Sequence, residues 1–339
     1  EIEDLYCIVS SSDLPRCTSE RGRLNIESLH GQVFRTYFRF EKEHLGLLVS
    51  ALRMPTTITS DQGVVVAGTD ALLMSLRRLA YPNRLCDLET IFGHHTSTLS
   101  SVLKHVFAHI DGTFGHLLDN LNNHTWLTLD TLELFAEAVH AKGAPLRNCW
   151  GFVDGTARAI CRPSLNQKVY YSGHKRLHAI KFQAVAAANG ITCELDGPYQ
   201  GHRHDAGILR ESHLYENLQE LVQGHEFVIY GDPAYPLCPL LMTPYAGSHL
   251  KDYEMEFNKK MSTVRQAVEW GFGKTVREFA FVDFKKNQKL MLQNVGQLYR
   301  VATIFANCHT CLYGSQVTDF FNLEVPALEG YLRPLPTTA

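Results

Sequence analysis

Leu177-His-Ala-Ile-Lys-Phe-Gln-Ala-Val-Ala-Ala-Ala-Asn-Gly-Ile-Thr-Cys-Glu-Leu195 decides the fold of this chain. The alternating run from His178 to Val185 reads as a β-strand within Leu177–Ala188. Asn189-Gly190 reads as a turn and Ile191–Leu195 as the returning strand, because Asn-Gly between two such runs is a strong hairpin signal. Working outward, Cys149–Val153 is a short apolar strand that ends at Asp154. A loop over Gly197–His204 leads to a helix over Ala206–Leu221 with Asp205 at its cap. Phe227–Tyr230 is another strand, ending at Asp232. A Pro-rich connection (Pro233, Pro236, Pro239, Pro244) precedes a long helix from about Asn258 to Val276, and a final apolar helix spans Met291 to Cys311. This order makes residues 148–320 a mixed sheet flanked by helices, an α/β fold. The tail 321–339, with Pro326, Pro334 and Pro336, is expected to be loosely ordered.

Upstream the period is helical. Residues 1–30 read as a polar arm, and residues 31–147 as an all-α helical domain. Phe34, Phe38, Leu45, Leu48 and Leu52 share one helical face, and Asp70 is a candidate N-cap before Leu72, Leu73, Leu76 and Leu79. Within 85–109, a short helix over Leu85–Phe92, a turn at Gly93 and a helix over Ser97–His109 form a helix-turn-helix-like segment. Leu99, Val102, Leu103 and Val106 point inward there, and Thr96, Ser97, Thr98, Ser101 and Lys104 outward. The same segment reads as an ordinary αα-hairpin, which its scarcity of positive charge favours. Helices over Thr113–Leu121 and Leu129–Ala141 complete the region.

The composition narrows the function. With 339 residues, 45% hydrophobic, the chain can bury one large core or two ordinary ones. No apolar run approaches the ~20 residues of a membrane span, so no membrane role is expected. The first residues, Glu1–Leu5, lack the regions of a signal peptide. The chain opens on Glu1, so a preceding native segment is expected. Nine scattered cysteines fit a reducing compartment. Cys308-His-Thr-Cys311 has CxxC spacing without a second ligand pair, so zinc is not expected.

A net charge of −3 argues against a generic DNA-coating protein, but the basic residues are unevenly placed. Residues 157–181 hold six basic residues and no acid, among them Arg158, Lys175, Arg176 and Lys181. Residues 259–289 hold eight basic residues, Lys274 among them, against three acids. These stretches flank Asp154 and Glu269, as a site for a polyanion requires.

Three acids carry the chemistry: Asp154 in Trp150-Gly-Phe-Val-Asp-Gly155, Asp232 in Phe227-Val-Ile-Tyr-Gly-Asp-Pro233, and Glu269 in Val264-Arg-Gln-Ala-Val-Glu-Trp270. In a hairpin sheet extended through a crossover helix, the first and fourth strands can be neighbours, which sets Asp154 beside Asp232. On the long helix, Met261, Val264, Val268 and Phe272 form the buried stripe, and Glu269 stands at its edge, about 100° from Val268. Converging carboxylates repel one another unless cations bind. Oxygen-only ligands favour Mg²⁺ or Mn²⁺, and two such ions can drive an in-line phosphoryl transfer. Each acid alone has a plainer reading: a strand-end turn for Asp154 or Asp232, and a helical pair with Arg265 for Glu269.

The stretches Gly151-Phe-Val-Asp-Gly-Thr156, Tyr171-Ser-Gly-His-Lys-Arg-Leu-His178, Gly201-His-Arg-His-Asp-Ala-Gly-Ile-Leu209, Gly231-Asp-Pro-Ala-Tyr235, Leu241-Met-Thr-Pro244 and Val268-Glu-Trp-Gly-Phe272 resemble the DDE endonuclease domain of PIF/Harbinger transposases. The resemblance covers about residues 148–315, and the helical region resembles the helix-turn-helix segment that precedes this domain in the family. It implies an RNase H-like catalytic domain and a metal-dependent nuclease that cuts and joins transposon ends. By motif, Asp154, Asp232 and Glu269 are its catalytic, metal-binding triad, holding two divalent ions. The resemblance further implies a Myb/SANT-like DNA-binding partner that supplies nuclear entry. A homo-oligomer on terminal inverted repeats is expected. Asn307-Cys-His309 departs from the family's usual His-Asn.

Around the triad, Lys175, Arg176, Lys181, Arg158, Lys274 and Lys104 are the candidate DNA contacts. Lys175 and Arg176 read equally as a solvated hairpin edge. His204 and Asp205 either support the acids or cap a helix. Two other functions fit less of the chain: a domesticated, catalytically silent DNA- or protein-binding scaffold, and a hydrolase of RNA–DNA hybrids.

Overall fold

The structure, a computed structural model, describes residues 23–290 and 292–334. Most of the expected N-terminal arm, the first residue of the expected last helix and the end of the tail therefore lie outside the described residues. Chain order gives α1 (Gly31–Phe38), α2 (Leu45–Ala51), β1 (Thr57–Thr59), β2 (Val65–Ala67), α3 (Gly68–Ala80), α4 (Leu85–Phe92), α5 (Thr96–Phe114), α6 (His116–Asp119) and α7 (Leu129–Ala141). The second half adds β3 (Cys149–Ala159), α8 (Gln167–Tyr170), β4 (Tyr171–Ser172), β5 (Leu177–Ala187), β6 (Thr192–Gln200), α9 (Asp205–Glu211), α10 (Leu214–Val222), β7 (Val228–Tyr230) and β8 (Leu241–Met242). It closes with α11 (Asp252–Glu278), α12 (Val295–Tyr313), α13 (Gln316–Phe321) and α14 (Leu328–Tyr331).

The sheet is mixed, as the sequence implies. Its order is β4-β5-β3-β7-β8, with β6 also paired to β5. β3 and β5 are antiparallel, whereas β3 and β7 run parallel. The hairpin is present, with a turn one residue longer than Asn-Gly alone. Ala187 N donates to Ile191 O (3.0 Å) and Gly190 N to Ala187 O (2.9 Å). Gly190 has φ +82, and a Cβ there would meet Ser315 Oγ at 2.6 Å, so both conformation and space demand glycine. Two strands run past their expected ends. β3 continues through Gly155 to Ala159 because its ladder with β5 persists to Ala159↔Ala179, which leaves Asp154 inside the strand. β6 extends to Gln200 through residues that read as a loop.

The N-terminal region is not all-α: Thr57–Thr59 and Val65–Ala67 pair as a small antiparallel ribbon. Arg39, in the left-handed conformation, ends α1 and splits the stretch expected as one helix. Asp70 lies in the first turn of α3 and not at its cap. Its carboxylate accepts from Arg23 at 3.1 Å. Along α5 the inward positions are buried as expected. Thr98 and Ser101, expected outward, are also buried, and Ser101 Oγ accepts from Asp61 N (2.7 Å). Gly115 interrupts the helix expected over Thr113–Leu121.

One hydrophobic cluster runs from Ile26 to Leu332 through both halves. Arg300 of α12 ties them further by ion pairs to Asp111 (2.9 Å) and Asp119 (2.8 Å). Residues 326–332 are packed rather than loose, with Leu328, Tyr331 and Leu332 buried. Asn307 explains part of that order. Its side chain accepts from Thr192 N (3.0 Å) and donates to Thr192 O (2.9 Å) and Tyr331 Oη (2.8 Å). Among the described residues, no helix is long and apolar enough to cross a membrane.

Candidate active site

The parallel pairing of β3 with β7 builds the site. Its last rung is Phe152↔Tyr230. Two residues further on each chain stand Asp154 and Asp232, so the register carries both acids to the same level. Asp154 remains in β3, held by the β5 ladder opposite Ala184. Asp232 lies just beyond β7, where its Oδ1 accepts from Ala234 N (2.9 Å) and turns the chain.

Electrostatics bind the two acids together. Burial pushes the Asp154 carboxyl above the ordinary carboxylate range; Arg265 opposes that shift and the nearby Asp232 adds to it. Arg265 Nη1 lies 3.4 Å from Asp154 Oδ2, with 21% and 17% of the two side chains exposed. At that distance the contact is an ion pair rather than a well-formed hydrogen bond. Arg265 Nη1 is accordingly left without a hydrogen-bond partner among the described residues.

The third acid stands apart. α11 is a strong helix: Glu254 accepts from Lys251 N (2.8 Å), and Asp252 and Glu254 favour its N-terminus. Met261, Val264 and Ala267 form its buried face, Phe272 is half-buried, and the side chain of Val268 is not among those described. Glu269 is exposed. Arg265, one turn before it, turns to Asp154 instead of pairing along the helix. Among the described residues, no three His, Cys, Asp or Glu side chains come close enough to cage an ion by themselves.

Asp154 and Asp232 nevertheless fit a hard divalent cation. Both offer only oxygen, and a cation would relieve the burial and repulsion that raise Asp154. A Mg²⁺ site commonly uses one or two carboxylates and leaves its other positions to water and phosphate.

Two neighbours stand by the acids: Asp205, expected to support them or cap a helix, and Tyr235, for which the sequence held no role. Asp205 is the first residue of α9, capped by His204, rather than the cap itself. Its Oδ1 accepts from Lys181 Nζ (3.1 Å), and its carboxylate presses on Gly155: a Cβ there would lie 2.9 Å from Oδ1. The glycine after Asp154 is the sequence trace of that approach. Tyr235 is buried, and its hydroxyl is without a partner among the described residues. Its only sequence trace is its place three residues after Asp232.

The expected DNA contacts divide. Lys175 and Arg176 are exposed in the turn before β5, and Lys104 is exposed on α5. Arg158 is ion-paired to Asp283 (3.0 Å), and Lys181 is held by Asp205 and Arg203 O (2.7 Å). Lys274 donates to Gly314 O (2.6 Å), and burial lowers its pKa to about 8. His204 is exposed.

Two comparisons with known proteins give matches. Residues 153–307 match the family model described as DDE superfamily endonuclease. That span begins one residue before Asp154 and contains Asp232 and Glu269. The chain is 24% identical over 264 residues to Protein ALP1-like of Arabidopsis thaliana, a match covering 72% of this chain and 62% of that protein. The chain thus spans less than two thirds of the length of this curated relative. No solved structure matches the chain.

Proposed function

We propose that this chain, similar over residues 153–307 to the DDE superfamily endonucleases and similar also to Protein ALP1-like, is a Harbinger-type DDE endonuclease that cuts and joins DNA at transposon ends by in-line phosphoryl transfer. The observation that carries this reading is the common level of Asp154 and Asp232, set by the register of β3 and β7. Asp154 and Asp232 hold the divalent cation, with Glu269 joining when α11 presents it. Two such ions, when bound, would supply an activated water and neutralise charge on the leaving oxygen. Arg265 balances Asp154 until a cation arrives. Lys175 and Arg176, exposed beside the sheet, meet the DNA backbone.

The recruiting steps are part of the same proposal. With little free positive charge on the α4–α5 pair, a Myb/SANT-like partner supplies DNA recognition and nuclear entry. The chain then assembles as a homo-oligomer on the terminal inverted repeats.

The test is cleavage of terminal-repeat DNA with Mn²⁺, with and without a candidate Myb-like protein. Metal-dependent nicking that disappears in Asp232→Asn supports the reading, and nicking that persists in that variant refutes it. A second reading, a catalytically silent binding scaffold, draws on the exposure of Glu269 and on Arg265 standing against Asp154. DNA binding without nicking, under any divalent metal, would select it.

A further inference from the structure

Tyr235 is the group near the acids whose chemistry is unused. The turn closed by Asp232 and Ala234 brings Tyr235 back over β7, with Tyr235 N donating to Asp232 O (3.2 Å). Its ring lies against Gly231: a Cβ at that glycine would stand 3.0 Å from Tyr235 Cδ2 and 3.0 Å from Val153 Cγ1. The residue is 3% exposed. Its hydroxyl feels Asp205 most strongly, then Asp154 and Asp232. It has no hydrogen-bond partner among the described residues.

A buried phenol hydroxyl nearly always finds an acceptor. Here Asp205, Asp154 and Asp232 are the acids whose charge acts on it, and none receives its proton. Asp205 is engaged by Lys181, and Asp154 by Arg265. The two carboxylates that fit a divalent cation would bring an oxygen acceptor with the cation's own water.

We propose that Tyr235 is a further positioning residue of the acid site, its hydroxyl donating a hydrogen bond to a water carried by a cation between Asp154 and Asp232. The proposal rests on the metal-dependent reading above. Tyr235 orients the water and does not bind the ion. Partners of this kind tune metal affinity by about 10–100-fold in other sites.

Titration of the full chain with Mn²⁺ alone, followed by calorimetry, tests it without any DNA substrate. Wild type binds Mn²⁺ and Asp154→Asn does not. Tyr235→Phe, which removes only the hydroxyl, binds about 10-fold more weakly. Its melting temperature without metal equals or exceeds that of wild type, because the lost hydroxyl had no partner. Tyr235→Phe binding Mn²⁺ as tightly as wild type overturns the proposal while leaving the acid site intact. A lower metal-free melting temperature with unchanged Mn²⁺ affinity assigns Tyr235 to packing and also overturns it. If wild type and Asp154→Asn give the same Mn²⁺ response, the acid-site reading itself fails and takes the proposal with it.

Discussion

Arg265 Nη1 lies 3.4 Å from Asp154 Oδ2, so the first acid of the site is neutralised by a side chain one helical turn ahead of the third. Both side chains are mostly buried, and each lowers the electrostatic cost of the other. Under the proposed function, the guanidinium and a divalent cation compete for one carboxylate.

Arg265→Gln separates these roles. Without metal, the variant is less stable by about 1–3 kcal/mol, below the ~3–5 kcal/mol of a fully buried broken pair. With metal, it binds Mn²⁺ more tightly, because a fixed positive charge has gone. Thermal melts of both proteins across a Mn²⁺ series check this. Equal Mn²⁺-induced shifts in the two proteins would show that Arg265 does not compete.

Gly155→Ala places a methyl against the Asp205 carboxylate, 2.9 Å from Oδ1, while Lys181 holds that carboxylate in place. The expected cost is about 1–3 kcal/mol, the usual range for overpacking. In an Asp205→Ala background the cost of Gly155→Ala largely disappears. A double-mutant cycle from denaturant unfolding measures the coupling; additive costs would refute the contact.

Asn307→Ala leaves Thr192 N and O and the Tyr331 hydroxyl without their shared partner inside the core. The expected loss is about 2–4 kcal/mol, since each orphaned buried group carries a desolvation cost. Hydrogen exchange should rise locally at the start of β6 and around α14. A uniform rise across the sheet would mean that Asn307 supports the whole fold instead.

Stability should vary with pH in opposite senses at two places. Burial lowers His309 to about 3 and His124 to about 4. From pH 6.5 down to those values the unfolded chain gains protons that the folded chain refuses, so stability falls as pH falls. Burial raises Glu194 to about 7. From pH 4.5 up to 7 the folded chain keeps a proton that the unfolded chain loses, so Glu194 costs stability as pH rises. Glu194→Gln, beside Asn217 (2.9 Å), should therefore gain over wild type across pH 4.5–7 and hold that gain above 7. Unfolding at fixed temperature over a pH series checks this; a gain that does not grow with pH would be inconsistent with the raised carboxyl.

Much of the sheet was legible in local pattern. The alternation before Asn189-Gly190 gave the hairpin, and the apolar run ending at Tyr230 gave the strand that brings Asp232 beside Asp154. Strand ends were harder. The polar and small residues Gly155-Thr-Ala-Arg-Ala159 look like a loop in isolation, and only pairing with β5 keeps them extended. The ribbon of β1 and β2 was hidden for the same reason, being three residues a side. At the site, Asp154 and Asp232 could be read because each closes an apolar run. Arg265 was read as a partner for Glu269, since sequence shows helical neighbours and not the strand across the core. Asp205 was legible as a cap or a support for the acids, and Tyr235 gave no signal by residue type. Their roles arise from the turn at Asp232 and the close approach at Gly155.

The far end of α11 has a mechanical meaning. Arg39 Nε donates to the Glu278 carbonyl (2.9 Å), Lys274 reaches Gly314, and His309 stands 4.0 Å from the Glu278 carboxylate. The opposite end carries exposed Tyr253 and Met255. The Glu278 end of α11 is tied to the N-terminal helices and to α12, while Met261, Val264 and Ala267 seat its middle in the core. Glu269 lies nine residues from Glu278, about 14 Å along the axis at 1.5 Å per residue. The fixed end and the buried face together set how far Glu269 stands from the acid pair.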